Sequence, residues 1–141
     1  MKKILPLVLL LVVTGCATRP VPYRNAAPVA SSNLLEGYSK YAQAREGTVR
    51  VIVVRDSGML GAAVPAKLSI EGIPVAKLWP SQRLELFLTP NAYIFALEPS
   101  PRLGGPLVER GIELSRGKLY AFRITLNGGG SFSLEQSTQL Q

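Results

Sequence analysis

Histidine is absent from this chain, cysteine occurs only at Cys16, and aspartate only at Asp56. Without histidine there is no histidine-based nucleophile triad, no histidine metal site and no imidazole proton shuttle. A single cysteine allows no internal disulfide, so a folded domain must hold together by its apolar core. About 95 residues suffice, since ~60-residue domains already bury most of their chain surface. The basic residues are scattered, and no run of them reads as a nucleic-acid patch; no nucleic acid is expected as a partner. Gly104-Gly105 and Gly128-Gly129-Gly130 do not lead into a helix bearing Lys-Ser/Thr, so they read as turns and not phosphate loops. No acidic cluster has calcium-loop spacing, and no metal or cofactor is expected. The longest apolar run, Ile4 to Val13, is well short of the ~20 residues of a membrane-spanning helix.

That run sits in the most informative stretch of the chain. Lys2 and Lys3 precede it, and Val13-Thr14-Gly15-Cys16 closes it. Basic start, apolar middle and small-residue end make residues 1–15 a secretory signal peptide, to be left out of fold reasoning. The closing four residues look like a bacterial lipobox. That resemblance implies cleavage before Cys16, thioether lipidation of Cys16 and acylation of the new amino terminus. The plainer alternative is an uncleaved signal anchor with an incidental cysteine. Lipidation better explains why a lone cysteine falls at that position. Ala17 follows, where lipoproteins of this type retained at the inner membrane generally carry Asp. It implies the outer membrane, periplasmic side, in a host with two membranes.

The chain has 141 residues, with 16 Lys+Arg against 9 Asp+Glu. Loss of residues 1–15 removes Lys2 and Lys3 and leaves 14 basic against 9 acidic residues, a balance of +5. Such a surplus favours anionic surfaces without specifying a ligand. Residues 16–32 then read as the lipidated cysteine and a flexible tether. Pro20, Pro22 and Pro28 interrupt any helix, and no apolar period appears. A coil of ~16 residues would span roughly 22 Å on average. Asn33 and Glu36 have capping-box spacing, and Leu34, Tyr38 and Tyr41 recur at helical intervals; together they predict a short helix over residues 33–46. Its Leu/Tyr stripe would pack on the domain or meet a partner.

From Gly47 the period changes to two. Val49, Val51 and Val53 read as one face of a strand with Arg50 and Arg55 assigned to the other, and Ile52 and Val54 make both faces apolar, as in a central strand. Alternating runs follow at 64–70, 73–79, 84–88, 93–98, 108–114, 120–126 and from Phe132, separated by turns such as Glu71-Gly72 and Thr89-Pro90-Asn91-Ala92. Tyr120, Phe122, Ile124 and Leu126 form the most regular apolar face. Seven to eight short strands at roughly ten-residue spacing predict a mainly β fold, an antiparallel β-sandwich over residues 47–136, with residues 137–141 as a frayed tail.

Four stretches, VRVIVVR, AKLSIEGIPVAKL, LELFLTPNAY and LSRGKLYAFRI, carry a resemblance to a family of uncharacterised bacterial lipoproteins, and more distantly to PEGA-type sandwiches. An apolar strand ending in arginine, a small glycine turn, a proline-centred turn before an aromatic and a glycine turn before an aromatic strand are shared, over about Val49 to Leu126. Pro90-Asn91 stands where the family has Pro-Gly, and Glu71 where it has Asp or Asn. The resemblance implies fold and envelope location and brings no catalytic residue.

The residues themselves offer little chemistry. Glu109 and Glu113 share a strand face, as a solvated pair would, and a two-carboxylate hydrolase would need them across a cleft. Ser57 has no histidine base and no S-x-x-K pattern. The candidate contact surface is the loop after the first long strand: Arg55 and Asp56 at its base, and Met59 and Leu60 as apolar residues between glycines. The latter two read as either a binding patch or a plug for the end of the sandwich. Trp79 reads as a lid on the core or a sugar platform. The expected protein is thus a non-enzymatic envelope lipoprotein, held to the membrane by lipid on Cys16, that binds or scaffolds another envelope protein. The alternative is a module for cell-wall glycan or anionic lipid.

Overall fold

A computed structural model describes residues 18–58 and 61–140. The signal segment, Cys16, Ala17, Met59 and Leu60 lie outside the described residues. The fold is mainly β, in two sheets. Its strands are β1 (Ala27–Pro28), β2 (Val49–Arg55), β3 (Ala66–Ile70), β4 (Ile73–Leu78), β5 (Gln82–Leu88), β6 (Ala92–Glu98), β7 (Val108–Glu113), β8 (Tyr120–Leu126) and β9 (Phe132–Gln136). One sheet has the order β1-β5-β2-β8-β9 and the other β4-β3-β6-β7.

Alternation explains the core. Val49, Val51 and Val53 of β2, Leu84, Leu86 and Leu88 of β5, and Tyr120, Phe122 and Ile124 of β8 point inward. They meet Leu68 and Ile70 of β3 and Phe95 and Leu97 of β6 from the other sheet. Phe95 and Phe122 join the two sheets with ring centroids 6.1 Å apart. Both are fully buried, and emptying such a site costs about 3–5 kcal/mol.

The sandwich is not wholly antiparallel. β2 pairs with β8 in parallel, Val51 opposite Tyr120 and Val53 opposite Phe122, and β1 pairs in parallel with β5. Strands β3, β4, β6 and β7 all lie in the other sheet, while β5 joins β2 antiparallel in the first. The chain then returns to the first sheet with β8 running in the direction of β2. Alternation carries no information on strand direction, so this could not be read from it.

The expected tether is a packed segment. Residues 18–32 hold Val21, Ala26 and Val29 in buried positions. The amides of Ala27 and Val29 donate to Ser81 O at 2.9 Å and Arg83 O at 3.0 Å. Pro22 and Ala30 have φ near −62° and ψ near 149° and 145°. Proline excludes a helix, but it suits this extended, polyproline-like path, from which single apolar residues dock.

The predicted helix over 33–46 is also replaced. Short 3-10 turns occupy Ser31–Asn33 and Glu36–Tyr41, and Asn33 caps nothing. Leu34 bridges Ala76 and the Leu35 amide donates to Val75 O at 2.9 Å, so the free edge of β4 draws these residues into extended backbone. Gly37 lies so close to Pro74 O that a Cβ there would sit 2.8 Å from it. The folded unit therefore includes the chain from residue 18 onward and does not start at 33 or 47. The tail is likewise docked: Ser137 N donates to Ala121 O at 2.8 Å, and Leu140 is buried with Ile52, Val54 and Ala121.

Candidate functional site

β2 and β8 finish side by side at one end of the sandwich, and the charged residues expected to form a contact surface sit there. Arg55 does not share a face with Arg50. It follows Val51 and Val53 inward and is only 3 % exposed. Strict alternation already places position 55 with 49, 51 and 53. Its Nη1 donates to Val64 O at 2.6 Å and Leu78 O at 2.7 Å, and its Nη2 to Gly61 O at 2.9 Å. The guanidinium also lies 5.2 Å from the Phe132 ring centroid. Burial pulls its pKa down to about 10, so it remains a cation at neutral pH. A planar fork that reaches three carbonyls is the role for which Arg is suited and Lys is not. Arg55 thus clamps the loop after β2 to the end of β4.

Asp56 points the opposite way and is 5 % exposed. It pairs with the Arg123 guanidinium and accepts the Val21 N–H at 3.2 Å. Burial pushes its carboxyl up, against the downward pull of Val21 and Arg123, and the rise prevails. This pair fastens the N-terminal segment to the outer face of the five-stranded sheet. Tyr23 fastens it a second time. Its ring lies 4.7 Å from the Arg83 guanidinium and 5.5 Å from that of Arg50, and its hydroxyl donates to Glu85. Arg50 Nε donates to Glu85 at 3.0 Å. Burial pushes Glu85 up, but the Tyr23 hydroxyl and the two arginines outweigh it and hold the carboxyl below its ordinary value. By accepting the hydrogen bond of its hydroxyl, Glu85 raises the Tyr23 phenol, with a smaller contribution from burial.

Trp79 is half-buried at the same end. It lines a cleft of about 300 Å³ with Val64, Pro65, Ser100, Pro101 and Arg102. Ser57 is occupied by backbone pairing with Arg19. Glu109 and Glu113 are exposed on β7, an edge strand, and face no cleft between the sheets.

The outer face of the four-stranded sheet is different in kind. Ala92, Ile94 and Ala96 of β6 lie opposite Glu113, Gly111 and Glu109 of β7. Ile94 is 50 % exposed. A shallow depression runs along Glu71, Ala92, Ile94, Gly111 and Glu113. Lys67 and Glu98 pair at its border, 3.0 Å apart. Among the described residues no segment crosses this face. Sequence reasoning did not single it out, although AYIFALE, apolar at both parities with no covering element predicted, carried the signal.

The chain matches no family model, no curated protein and no solved structure.

Proposed function

We propose that this protein is a lipid-anchored lipoprotein of the bacterial envelope that works without chemistry, as a binding or scaffolding module for another envelope protein. The Val13-Thr14-Gly15-Cys16 stretch and the resemblance in the turn motifs support the anchor and the location. Ala17 supports the outer membrane, with the domain in the periplasm. The observation that carries the binding role is the uncovered outer face of β3, β6 and β7. It is a shallow depression of small residues around Ile94, bordered by Glu71, Glu109 and Glu113. Buried charged side chains hold the fold instead: Arg55 takes three carbonyls, and Asp56 takes Arg123. Glu71, Glu109 and Glu113 around Ile94, with Lys67 and Lys77 on the β3–β4 side, give this face charges of both signs around an apolar centre, which favours a protein partner over cell wall or lipid.

A photo-crosslinking residue in place of Ile94, in whole envelopes, should yield one discrete protein adduct. The same residue at Arg24, on the covered side, should not. Retention on isolated cell wall with no protein adduct would favour the glycan module instead. Cys16→Ser should abolish incorporation of labelled fatty acid and leave an unprocessed precursor; unchanged incorporation would contradict the anchor.

A further inference from the structure

We propose that the end of the sandwich where β2 and β8 finish rests on the bilayer, with Trp79, Arg102 and Leu107 at the lipid headgroups. The inference rests on lipidation of Cys16 and adds to it an orientation and a contact surface. Thr18 is packed on the sandwich: a Cβ on Gly58 would lie 3.2 Å from Thr18 Cα. Arg19 and Ser57 exchange both backbone hydrogen bonds, at 2.6 and 3.1 Å. Only Ala17 lies between Cys16 and Thr18, and two Cα–Cα steps of extended chain span at most ~7 Å. A lipid on Cys16 therefore has no tether, and the strand end beside it is brought to the membrane surface.

The loops that share this end suit that position. Ser81 N donates to Arg55 O at 3.0 Å, which places the turn after Trp79 there. Leu103 O lies close to Gly130, which joins the loop before β7 to the loop after β8. Residues 18–20, 79–82, 99–107 and 127–131 include Arg19 and Arg102 and contain no carboxylate, and Asp56, in the loop after β2 at this end, is buried against Arg123. Leu107 is 52 % exposed. Tryptophan with a wet edge, arginine and an exposed leucine are the residues that settle at a headgroup boundary. Charge alone does not choose this end, because Arg116 and Lys118 lie at the opposite one with Glu46 and Glu71. The short leash from Cys16 to Thr18 does.

Trp79 is the only tryptophan, so its fluorescence reports this end directly. The full lipidated protein would be placed in vesicles of phosphatidylethanolamine and phosphatidylglycerol with brominated acyl chains. Two further reporters in a Trp79→Phe background, Leu107→Trp and Leu119→Trp, mark the near and far ends. Bromine should quench Trp79 and the Leu107→Trp reporter several-fold more than the Leu119→Trp reporter. Equal quenching of all three, in vesicles that float with the protein, would overturn the orientation and leave the lipid anchor standing. Failure to float, with no lipid mass on the N-terminal peptide, would overturn both.

Discussion

The two outer sheet faces of this molecule have opposite fates. On the five-stranded sheet, Ile52, Val54 and Ala121 lie under Val21, Ala26 and Leu140, and Tyr23 is held between Arg50 and Arg83. On the four-stranded sheet, Ala92, Ile94 and Gly111 have no chain over them among the described residues. The covered face buries Ile52 and Val54 beneath the N-terminal segment and Leu140. The open face has small residues, Ala92 and Gly111, around one large apolar side chain, Ile94, that stays half in water. The chain that leads from Cys16 to the domain is thus used as a covering layer on one side, and this leaves the other side free to meet a partner.

The sharpest way to break the comparison is to release the covering layer. Asp56→Ala leaves Arg123 buried without its carboxylate and frees the Val21 amide. Loss of one member of a buried pair costs about 3–5 kcal/mol, and urea unfolding should show a loss in that range. Tyr23→Ala removes a ring between two guanidinium groups and should cost about 1–2 kcal/mol by the same measurement. On the open face Ile94→Ser should cost no more than about 1 kcal/mol, because Ile94 is half-exposed and no segment covers it among the described residues, while the envelope crosslinks of that face should weaken.

The smallest effect is one of pH. Glu85 is held below its ordinary value of 4.5 in the folded protein. A carboxyl whose folded pKa is depressed adds stability that is complete above the unfolded pKa and is lost as pH falls through the folded one. Stability should therefore drop as pH falls below 4.5, and Glu85→Gln should flatten that part of the profile. An unchanged slope would mean that Tyr23 and Arg50 do not hold Glu85 in solution.

The contrast between the faces also marks what could be read from the sequence. The strands from β2 to β9 follow from alternation or, in β2 and β6, from short apolar runs between turns, and the hairpin turn at Glu71-Gly72 from its glycine. The inward course of Arg55 was legible in its odd number and was misassigned. Asp56 and Arg123 are 67 residues apart, and nothing local in either strand points to the other. The N-terminal cover escaped because Val21, Ala26 and Val29 dock singly between prolines, with no period of 2 or 3.6 to find. Leu34, Tyr38 and Tyr41 have helical spacing, but the edge of β4 offers the backbone of Leu34 and Leu35 better partners than a helix would.

The central claim is that residues 18–29 belong to the fold and are not a tether. Amide hydrogen exchange of the purified protein tests it most directly. The amides of Arg19, Val21, Ala27 and Val29 donate to Ser57, Asp56, Ser81 and Arg83. They should exchange as slowly as those of β2, far more slowly than those of a proline-rich coil. Exchange of all four at the rate of an unstructured peptide, with β2 still protected, would contradict the account.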